Sequence, residues 1–504
     1  MQNRTTDSIL AWLRGLAHEG ARLVLDSRRV RPGDVFVAVP GAAADGRNFI
    51  RVAAARGAAG ALMEADGALP EHHPVPTLDV ENLLPRLGEI ASGFYGEPSA
   101  QMTGVAVTGT NGKTTTTHWI AALFSALGTK SAVMGTVGTT LGGVRFEAPA
   151  LTTPDAASLQ GLLADLKRAG ADAFAVEASS IGLVQGRLSG THFRTAVFTN
   201  LTRDHLDYHG TMEAYADAKA ILFAWPGLKN AVINADDPAG ERMAAVAKKG
   251  GVRVWSYSTE GRTLPDADET LEARNLRATA EGMAFELVWR GVSCPVDFPQ
   301  TGFFNASNLL AALAVVFAEG HAPEDVLAHV AGLHAPAGRM ERVRSGEGPA
   351  PLVLVDYAHT PDALEKALES LAPVARARGG ELWCVFGCGG DRDPGKRPMM
   401  GRTAAALADH VVVTSDNPRT EDPDAIIREV VAGAPEARVE ADRRRAIVSA
   451  IGAAAAEDVI LVAGKGHEDY QEIMGVKHPF LDHEAVREGL LERRVAALRA
   501  KETH

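Results

Sequence analysis

The sequence predicts an α/β protein of three domains, on two observations. The chain has 504 residues, more than one hydrophobic core usually supports, so several domains are expected. Short apolar strands alternate with helical stretches, which is typical of parallel sheets joined by crossover helices. Stretches that contain glycine and proline near residues 97 and 337 interrupt this alternation of strands and helices. We therefore predict domains at residues 1–97, 98–336 and 337–504.

The first segment combines short strands with an alanine-rich helix. The run GDVFVAV (33–39) is predicted as a strand, and FIRVAAARGAAGAL (49–62) is predicted as a helix. The stretch GEPS (96–99) contains glycine and proline and is predicted as a linker to the second segment.

The second and third segments each predict a parallel sheet. Five apolar runs of the second segment are predicted as its strands: MTGVAVTG (102–109), SAVMGTVG (131–138), ADAFAVEAS (171–179), TAVFTNL (195–201) and NAVINAD (230–236). Beyond HAPAGRMERV (334–343), four runs are predicted as strands of a C-terminal Rossmann-like domain: LVLVDYAH (352–359), ELWCVFGCGG (381–390), HVVVTSDNPR (410–419) and DVILVAGKGH (458–467). Loops that follow such strands meet at one sheet edge, where ligands bind.

Composition and charge narrow the class of protein. Hydrophobic residues make up 46% and charged residues 23%, values typical of a soluble globular protein. The net charge is -12 and basic residues are not clustered, so nucleic-acid binding is not expected. Without a long apolar run or a signal core, we predict a cytoplasmic protein with no membrane segment. The three cysteines, Cys294, Cys384 and Cys388, are too few for a disulfide framework or a zinc site and are predicted as buried thiols.

The stretch VTGTNGKTTTTHW (107–119) lies between a predicted strand and a predicted helix, as phosphate-binding loops do. Val107 occupies the first glycine position of the common pattern, and this order of elements disfavours the alternative of a plain Gly/Thr turn. Lys113 could neutralise phosphate charge, and the Thr114 hydroxyl could bind Mg²⁺. The backbone N–H groups that could face phosphate belong to Gly109, Thr110, Asn111, Gly112, Lys113, Thr114 and Thr115.

Two later strand ends supply further candidate metal ligands. A predicted strand ends at Glu177, whose carboxylate could hold a metal. His205 and His209 follow another strand, in a stretch predicted as a loop, so a zinc pair is not favoured. Lys219, in YADAKAILF (215–223), lies on a predicted helix and by itself suggests a solvated surface lysine.

Seven motifs in chain order resemble the Mur ligases: GTNGKTTT, TNLTRDHLDYHG, YADAKA, VDYAHTPDAL, GDRDPGKRP, DNPR and GKGHEDYQ. The resemblance is closest to the member that adds the third residue of the peptidoglycan stem peptide. It implies a central ATPase domain with a shortened phosphate loop and a ligase active in cell-wall synthesis. ATP, as co-substrate, would convert a carboxylate of UDP-N-acetylmuramoyl-L-alanyl-D-glutamate to an acyl phosphate, which meso-diaminopimelate would attack. We expect a monomer.

The resemblance also assigns catalytic roles. Lys113, Glu177, His205 and Lys219 are implied as catalytic residues. Lys219 matches a lysine that CO₂ converts to N6-carboxylysine, which turns a cation into an anion near Mg²⁺. The implied metal ligands are Thr114, Glu177, His205 and Lys219.

The resemblance implies contacts to the nucleotide-sugar dipeptide and to ATP from residues before and after the predicted boundary near residue 337. The nucleotide-sugar dipeptide is implied to bind Leu25, Ser27, Thr152, Thr153, Ser179, Gln185 and Arg187. Ile181-Gly182 replaces the His-Ala of many relatives, and the loop of alanines at 42–44 offers no polar contact. ATP is implied to reach Asn305, Arg339 and Asp356, with Asn308 near Asn305, so that the site closes when two domains meet. A turn role for Ser27 and N-capping by the two asparagines remain open.

Three strand-end loops of the last segment are implied to bind diaminopimelate, through Arg392, Asp416, Asn417, Pro418, Arg419, Gly464 and Glu468. Guanidinium groups bind carboxylates bidentately, and the DNPR motif marks the diaminopimelate-adding members, whereas a simple turn would leave Arg419 without a role. The alternatives are a lysine-adding Mur ligase, a folylpolyglutamate synthetase and, in another class, a nucleotide-hydrolysing switch.

Overall fold

The computed structural model describes residues 4–41, 44–67, 72–146, 151–265, 267–344, 346 and 348–502. The chain folds as two compact units, the first running to Leu271 and including Leu309–Val326, and the second comprising Glu272–Asn308 and the residues from Leu327 on. Within these described ranges, no helix is both long and apolar enough to span a membrane.

The first unit begins with a four-stranded parallel sheet in the order β1-β2-β3-β4. Its strands are β1 (Leu23–Val24), β2 (Val35–Ala38), β3 (Gly60–Glu64) and β4 (Thr77–Val80). Its helices are α1 (Thr6–Leu16), α2 (Ile50–Ala55) and α3 (Leu83–Phe94).

A second sheet of the first unit carries the phosphate loop. Its strands are β5 (Thr103–Thr108), β6 (Ser131–Gly135), β7 (Gly138–Leu141), β8 (Val144–Phe146), β9 (Ala173–Glu177), β10 (Thr195–Phe198), β11 (Asn230–Asn234) and β12 (Arg253–Ser258). They lie in the order β12-β11-β10-β5-β9-β6-β7-β8 and are parallel from β12 to β6. Its helices are α4 (Lys113–Ala126), α5 (Ala156–Arg168), α6 (Ser180–Val184), α7 (Leu206–His209), α8 (Met212–Ala220) and α9 (Gly240–Lys249).

Three elements contain residues of both units: β13 (Glu269–Thr279), α10 (Phe303–Ala318) and α11 (Pro323–Leu327). In the second unit, β14 (Gly282–Trp289) and β15 (Val292–Phe298) pair antiparallel. A six-stranded sheet follows in the order β16-β17-β21-β18-β19-β20. Its strands are β16 (Glu341–Val343), β17 (Leu352–Asp356), β18 (Leu382–Phe386), β19 (His410–Val413), β20 (Arg438–Val439) and β21 (Val459–Ala463).

The remaining elements of the second unit flank or follow this sheet. The hairpin of β22 (Tyr470–Ile473) and β23 (Val476–Pro479) comes directly after the loop that follows β21. The helices are α12 (Pro361–Arg378), α13 (Lys396–Leu407), α14 (Pro423–Val431), α15 (Arg443–Ala453) and α16 (Asp482–Glu502).

The predicted α/β fold with parallel sheets is confirmed, and each of the nine apolar runs of the last two segments forms a strand. The helix predicted at 49–62 is wrong in its second half, because β3 is buried between β2 and β4 and this pairing overrides alanine propensity. The antiparallel strands β7, β8, β14, β15, β16, β22 and β23 were not predicted.

The stretch at 96–99, predicted as a linker, is exposed only at Gly96 and Glu97. Pro98 and Ser99 are buried, and Ser99 Oγ accepts a hydrogen bond from the His192 backbone N–H at 3.0 Å. Buried residues of α5 pack with α1 and α3 in one core cluster, so the first predicted segment joins the second in one unit. The two exact domain boundaries, near residues 97 and 337, stay predictions.

Two of the three cysteines are buried as predicted. Cys384 and Cys388 are buried, and burial raises the pKa of the Cys388 thiol to about 12. Cys294 is only half-buried on β15, so its prediction as a buried thiol is wrong. No group of three or more His, Cys, Asp or Glu side chains that could hold a metal occurs among the residues that the structure describes.

Candidate functional site

The phosphate loop turns tightly between β5 and α4, as its two glycines predict. A Cβ atom at Gly109 would lie 1.9 Å from Thr199 Oγ1, so only glycine fits this close approach. Lys113 begins α4, and its ammonium donates to the carbonyls of Gly109 at 2.9 Å and Thr110 at 2.8 Å. The ammonium therefore lies over the loop where phosphate charge would need it.

The loop after β10 supports the phosphate loop. Asn200 Oδ1 accepts a hydrogen bond from the Asn111 N–H at 2.9 Å, and Thr199 Oγ1 donates to the Asn111 carbonyl at 2.6 Å. Thr199 and Asn200 lie in one of the motifs of the sequence, but neither was predicted to have a role. Their placement follows from the direct pairing of β10 with β5.

Glu177 ends β9 and is 1% exposed, beside the start of α4. Its Oε1 accepts hydrogen bonds from the Thr114 hydroxyl at 2.9 Å and from the Thr136 N–H at 2.9 Å. Thr136 Oγ1 also donates to Oε2 at 3.2 Å. The structure thus brings together two predicted metal ligands, Thr114 and Glu177, and adds Thr136, which was missed. Hydroxyl and carboxylate oxygens are donors that suit Mg²⁺.

Gly135 is expected to be essential for the placement of Glu177. A Cβ atom at Gly135 would lie 2.1 Å from Glu177 Oε1, so Gly135→Ala should displace the carboxylate and lower kcat by about a hundredfold. Gly15→Ala is the matched control, because no atom lies within 4 Å of a Cβ there. Steady-state kinetics that give Gly135→Ala a wild-type kcat would contradict this placement.

His205 is not brought to Glu177. Its side chain is 47% exposed, and its Nε2 lies 3.5 Å from Asp204 Oδ2. In the described part of the chain, no hydrogen bond joins His205 to Glu177 or Lys219. His209 lies on the short helix α7 rather than in a loop, and its Nε2 contacts Ser180 Oγ at 2.9 Å. The two histidines therefore have separate polar partners, although both rings lie near the Tyr215 ring, with ring centres 6.1 Å and 5.1 Å away.

Lys219 lies on α8 and is 1% exposed, so the interpretation as a solvated surface lysine is wrong. Its ammonium lies 4.2 Å from the centre of the Tyr215 ring, and the Tyr215 hydroxyl contacts Thr110 Oγ1 at 3.2 Å. Burial lowers the pKa of Lys219 well below its usual range, and the charge of Lys113 lowers this pKa further, while Asp204 opposes the shift. The pocket therefore favours a neutral amine beside the phosphate loop.

A cavity of about 1130 Å³ opens in the first unit. Leu25 and Ser27 line it, and Ser27 begins a short 3₁₀ helix, which agrees with the turn alternative. Phe49 and Phe146 also line the cavity, so a planar base could pack against aromatic rings there. Of the alanine loop, Ala42 and Ala43 lie outside the described residues.

The other five residues implied for the nucleotide-sugar dipeptide form a connected group next to Glu177. Thr153 Oγ1 donates to the Glu177 carbonyl at 2.8 Å and contacts Ser179 Oγ at 2.9 Å. Arg187 donates to the Thr153 carbonyl at 3.0 Å and to Gln185 Oε1 at 2.9 Å, and burial lowers its pKa. Thr152 Oγ1 contacts Thr136 Oγ1 at 3.1 Å, and Gly182 at the His-Ala departure lies on α6.

Asn305 and Asn308 lie within the first two turns of α10 and are both buried. The Asn305 amide donates to the Thr301 carbonyl at 2.7 Å, and the Asn308 amide donates to Asn305 Oδ1 at 3.0 Å. In both hydrogen bonds a side-chain amide is the donor, whereas an N-cap side chain accepts from a backbone N–H, so neither bond is an N-cap. Elsewhere in the second unit, Arg339 stacks 5.1 Å from the centre of the Tyr357 ring.

Asp356 ends β17 and accepts hydrogen bonds from the backbone N–H groups of Met340 at 2.7 Å and Ala358 at 2.8 Å. Burial raises the pKa of Asp356, although the charge of Arg339 opposes this shift. Asp356 therefore holds the Met340 segment in place beside Arg339.

Three loops that follow β18, β19 and β21 meet in the second unit. Asn417 donates to Glu468 Oε2 at 2.7 Å, and Lys465 donates to both side chains. The Arg419 backbone is left-handed (φ 52°), and its guanidinium donates to the Gly390 carbonyl at 2.6 Å. Arg392 is exposed and contacts only the Asp391 carbonyl among the described residues. The loops therefore bring Asn417 and Glu468 together and place the Arg419 guanidinium against the loop after β18, whereas Arg392 has no hydrogen bond to these residues in the described part of the chain.

The rest of the predicted amino-acid site lies beneath these loops. Asp416 and Pro418 are buried, and Gly464 passes close to the Asp416 carboxylate. Arg443, which was missed, is completely buried and donates to Asp482 and to the carbonyls of Ser415 and Ala463. It thereby ties the end of β19 to the end of β21.

Three family models match this chain. The Mur ligase middle domain matches residues 107–316, the glutamate ligase domain of Mur ligases matches 338–466, and the Mur ligase family catalytic domain matches 21–95. Each of the three predicted segments thus has its own matching domain.

Curated relatives match nearly the whole chain. A UDP-N-acetylmuramoyl-L-alanyl-D-glutamate–2,6-diaminopimelate ligase of Janthinobacterium sp. (strain Marseille) is 49% identical over 94% of this chain and 95% of its own length. An enzyme of the same name from Chromobacterium violaceum is 51% identical over 93% of this chain and 94% of its own length.

Two solved structures are similar to this chain over nearly its whole length. A diaminopimelate ligase structure of that name has a TM-score of 0.70 and 38% identity, covering 96% of this chain and 99% of its own. A MurF ligase from Thermotoga maritima, solved in complex with ADP, has a TM-score of 0.61 at 20% identity, over 94% of this chain and 97% of its own. The second likeness shows the fold alone.

Proposed function

The chain belongs to the Mur ligase family, and we propose that it adds meso-diaminopimelate to UDP-N-acetylmuramoyl-L-alanyl-D-glutamate, with ATP as co-substrate, in peptidoglycan synthesis. The observation that carries this function is identity near 50% over almost the full length with enzymes of that name. Arg419 lies two residues from Asn417, which contacts Glu468, and this placement of a guanidinium and a carboxylate in neighbouring loops supports a substrate with both a carboxylate and an ammonium group.

The reaction proceeds in two transfers. A carboxylate oxygen of the dipeptide attacks the γ-phosphorus of ATP, the bond to the bridging oxygen breaks, and ADP leaves. The neutral amine of diaminopimelate then attacks the acyl carbon, phosphate leaves with the bond electrons, and the new amide loses a proton. Both reactants of the first step are anions, so positive charge at the phosphate loop is needed to bring them together.

The residues around the phosphate loop supply this environment. The Lys113 ammonium can leave its two carbonyl partners for the transferred phosphoryl group. Thr114 and Glu177 would hold Mg²⁺, because their oxygens are 2.9 Å apart and of the kind that Mg²⁺ prefers. When bound, the ion would neutralise phosphate charge. His205 is proposed as a ligand only if its exposed loop moves toward Glu177, since no described contact joins them.

Lys219 is proposed to carry a carbamate. A neutral lysine amine attacks CO₂, a C–N bond forms and one proton is released, so the modification requires the deprotonated amine. Burial and the Lys113 charge both favour that form at Lys219. Once formed, the carbamate is an anion that attracts the Lys113 ammonium, whereas a protonated Lys219 would repel it.

The residues that bind the two nucleotide substrates are also part of the proposal. The cavity lined by Leu25 and Ser27 is of a size to admit a nucleoside diphosphate sugar. Arg187 is proposed to exchange its Gln185 contact for a substrate carboxylate. Asn305, Arg339 and Asp356 are proposed to reach the adenine and ribose of ATP.

Arg419 already has partners within the protein, because its guanidinium donates to the Gly390 carbonyl and its Nε lies 3.7 Å from Glu472 Oε2. Lysine, which has no distal carboxylate, would therefore not leave this guanidinium unpaired. Discrimination against lysine therefore rests on the lost bidentate pair rather than on an unpaired buried cation.

Arg419→Ala should raise the KM for diaminopimelate by about tenfold or more, because a charged hydrogen bond contributes about 1.5–3 kcal/mol. Arg419→Lys should not restore binding, since a point charge lacks the guanidinium fork. The KM for ATP should change less than about threefold. Arg428→Ala is the matched control, because Arg428 is an exposed arginine on α14. An unchanged KM for diaminopimelate in Arg419→Ala would remove Arg419 from the site.

The proposed function is tested by phosphate release from ATP with purified protein. Release should require both the nucleotide-sugar dipeptide and diaminopimelate. Equal use of lysine would favour a lysine-adding ligase, and use of a folate with glutamate would favour a folylpolyglutamate synthetase. Hydrolysis that needs neither substrate would favour a nucleotide switch.

A further inference from the structure

A completely buried lysine that the sequence analysis left without a role lies in the loop after β21. The Lys465 side chain is 0% exposed, which is rare for lysine unless its charge is paired. Its ammonium donates to Asn417 Oδ1 at 3.0 Å and to Glu468 Oε2 at 3.1 Å. The centre of the Tyr470 ring lies 5.5 Å away. Lys465 therefore has two polar partners, and both belong to the predicted amino-acid site.

These contacts leave one oxygen of Glu468 available. Asn417 Nδ2 donates to Glu468 Oε2 at 2.7 Å, and Asn417 Oδ1 also accepts the Glu472 N–H at 2.9 Å. Both ends of the Asn417 amide are thus engaged within the protein. Across the part of the chain that the structure describes, no hydrogen bond or ion pair involves Glu468 Oε1, and the Glu468 side chain is 20% exposed.

We propose that Lys465 is a positioning residue that fixes Glu468 Oε2, so that Oε1 accepts a hydrogen bond from the distal ammonium of the amino acid. The inference rests on the proposed function, since a diamino acid brings a second ammonium to this loop. A distal centre with both groups pairs with Arg419 and Glu468 together.

Lys465→Met tests this role, because methionine removes the ammonium and keeps an unbranched apolar chain. The readout is kcat/KM for diaminopimelate against 2-aminopimelate, which keeps the distal carboxylate but lacks the distal ammonium. The wild type should prefer diaminopimelate by at least about tenfold, and the variant by less than about threefold. The KM for ATP should stay within about threefold of the wild-type value.

Lys477→Met is the matched control. The Lys477 ammonium lies 3.9 Å from the centre of the same Tyr470 ring, but Lys477 is exposed on β23. Its loss should leave the preference for diaminopimelate unchanged.

A double-mutant cycle with Glu468→Gln shows whether Lys465 acts through Glu468. Glu468→Gln should itself lose the preference, and adding Lys465→Met should cost little more. The double variant removes both charges, so it serves where Lys465→Met alone does not fold. A preserved preference in folded Lys465→Met or in Glu468→Gln, or additive losses, would overturn the proposal. A wild type that does not use diaminopimelate would overturn the proposed function instead.

Discussion

Lys113→Ala is expected to abolish measurable ligation, a loss in kcat of at least about a thousandfold. The Lys113 ammonium lies over the loop and contacts the carbonyls of Gly109 and Thr110. Two anions must meet during phosphoryl transfer, and the amide N–H groups of the loop carry only partial charges. Loss of this mobile cation therefore leaves the transition-state charge without its nearest counter-charge.

The fold should survive this change, because Lys113 is only half-buried and its carbonyl partners can bind water. Single-turnover formation of the acyl phosphate, followed with labelled ATP, separates the first transfer from the second. Lys130→Ala is the control, since Lys130 donates to a backbone carbonyl of Ala169 on an exposed surface of the same unit. Ligation by Lys113→Ala within about threefold of wild type would contradict the role of Lys113.

The strands of the parallel sheets could be predicted because their burial on both faces leaves a signal in the sequence. The run at 173–177 and the run at 459–463 are almost entirely apolar, and each forms a buried strand. In contrast, β15 carries Ser293, Pro295 and Asp297 between its apolar residues, and the two-residue turn that joins it to β14 is Arg290-Gly291. This turn lacks the Asn-Gly or Asp-Gly pair that signals a hairpin in a sequence, so the hairpin was missed although its strands are adjacent in the chain.

The candidate site could be predicted where a residue ends a strand or begins a helix. Glu177 and Lys113 occupy such positions, and their motif spacing gives their chemistry. Thr136 and Asn200 could not be assigned, because only the strand order β10-β5-β9-β6 brings their loops to the phosphate loop and Glu177. Lys465 is a similar case, since its burial follows from packing between loops that are far apart in sequence.

Lys219 shows why burial is the hardest property to infer. On a helix with alternating alanines its position looks exposed, yet it faces Tyr215 and the phosphate loop. Its lowered pKa arises from burial and from Lys113, which lies far away in the sequence. Neither cause is visible in the local pattern of residues.

Lys219→Ala should lower kcat by at least about a hundredfold, because it removes both the carbamate and the neutral amine that forms it. A short carboxylate such as acetate or propionate should restore part of the activity, since its oxygens can occupy the place of the carbamate oxygens. Lys249→Ala, an exposed lysine at the end of α9, should behave as wild type with and without added carboxylate. Absence of any rescue across a carboxylate series would count against the carbamate.

The pH dependence of the modification follows from the direction of the pKa shift. An ordinary lysine is protonated at neutral pH and reacts little with CO₂. Because the pKa of Lys219 is lowered, its neutral amine, and hence the carbamate, should persist to lower pH than at an exposed lysine. Carbamate should disappear as pH falls through the lowered pKa, when the amine binds its proton. Carbon-13 NMR with labelled bicarbonate should show a carbamate signal at neutral pH in the wild type that is absent from Lys219→Ala, and identical spectra for both proteins would contradict the modification.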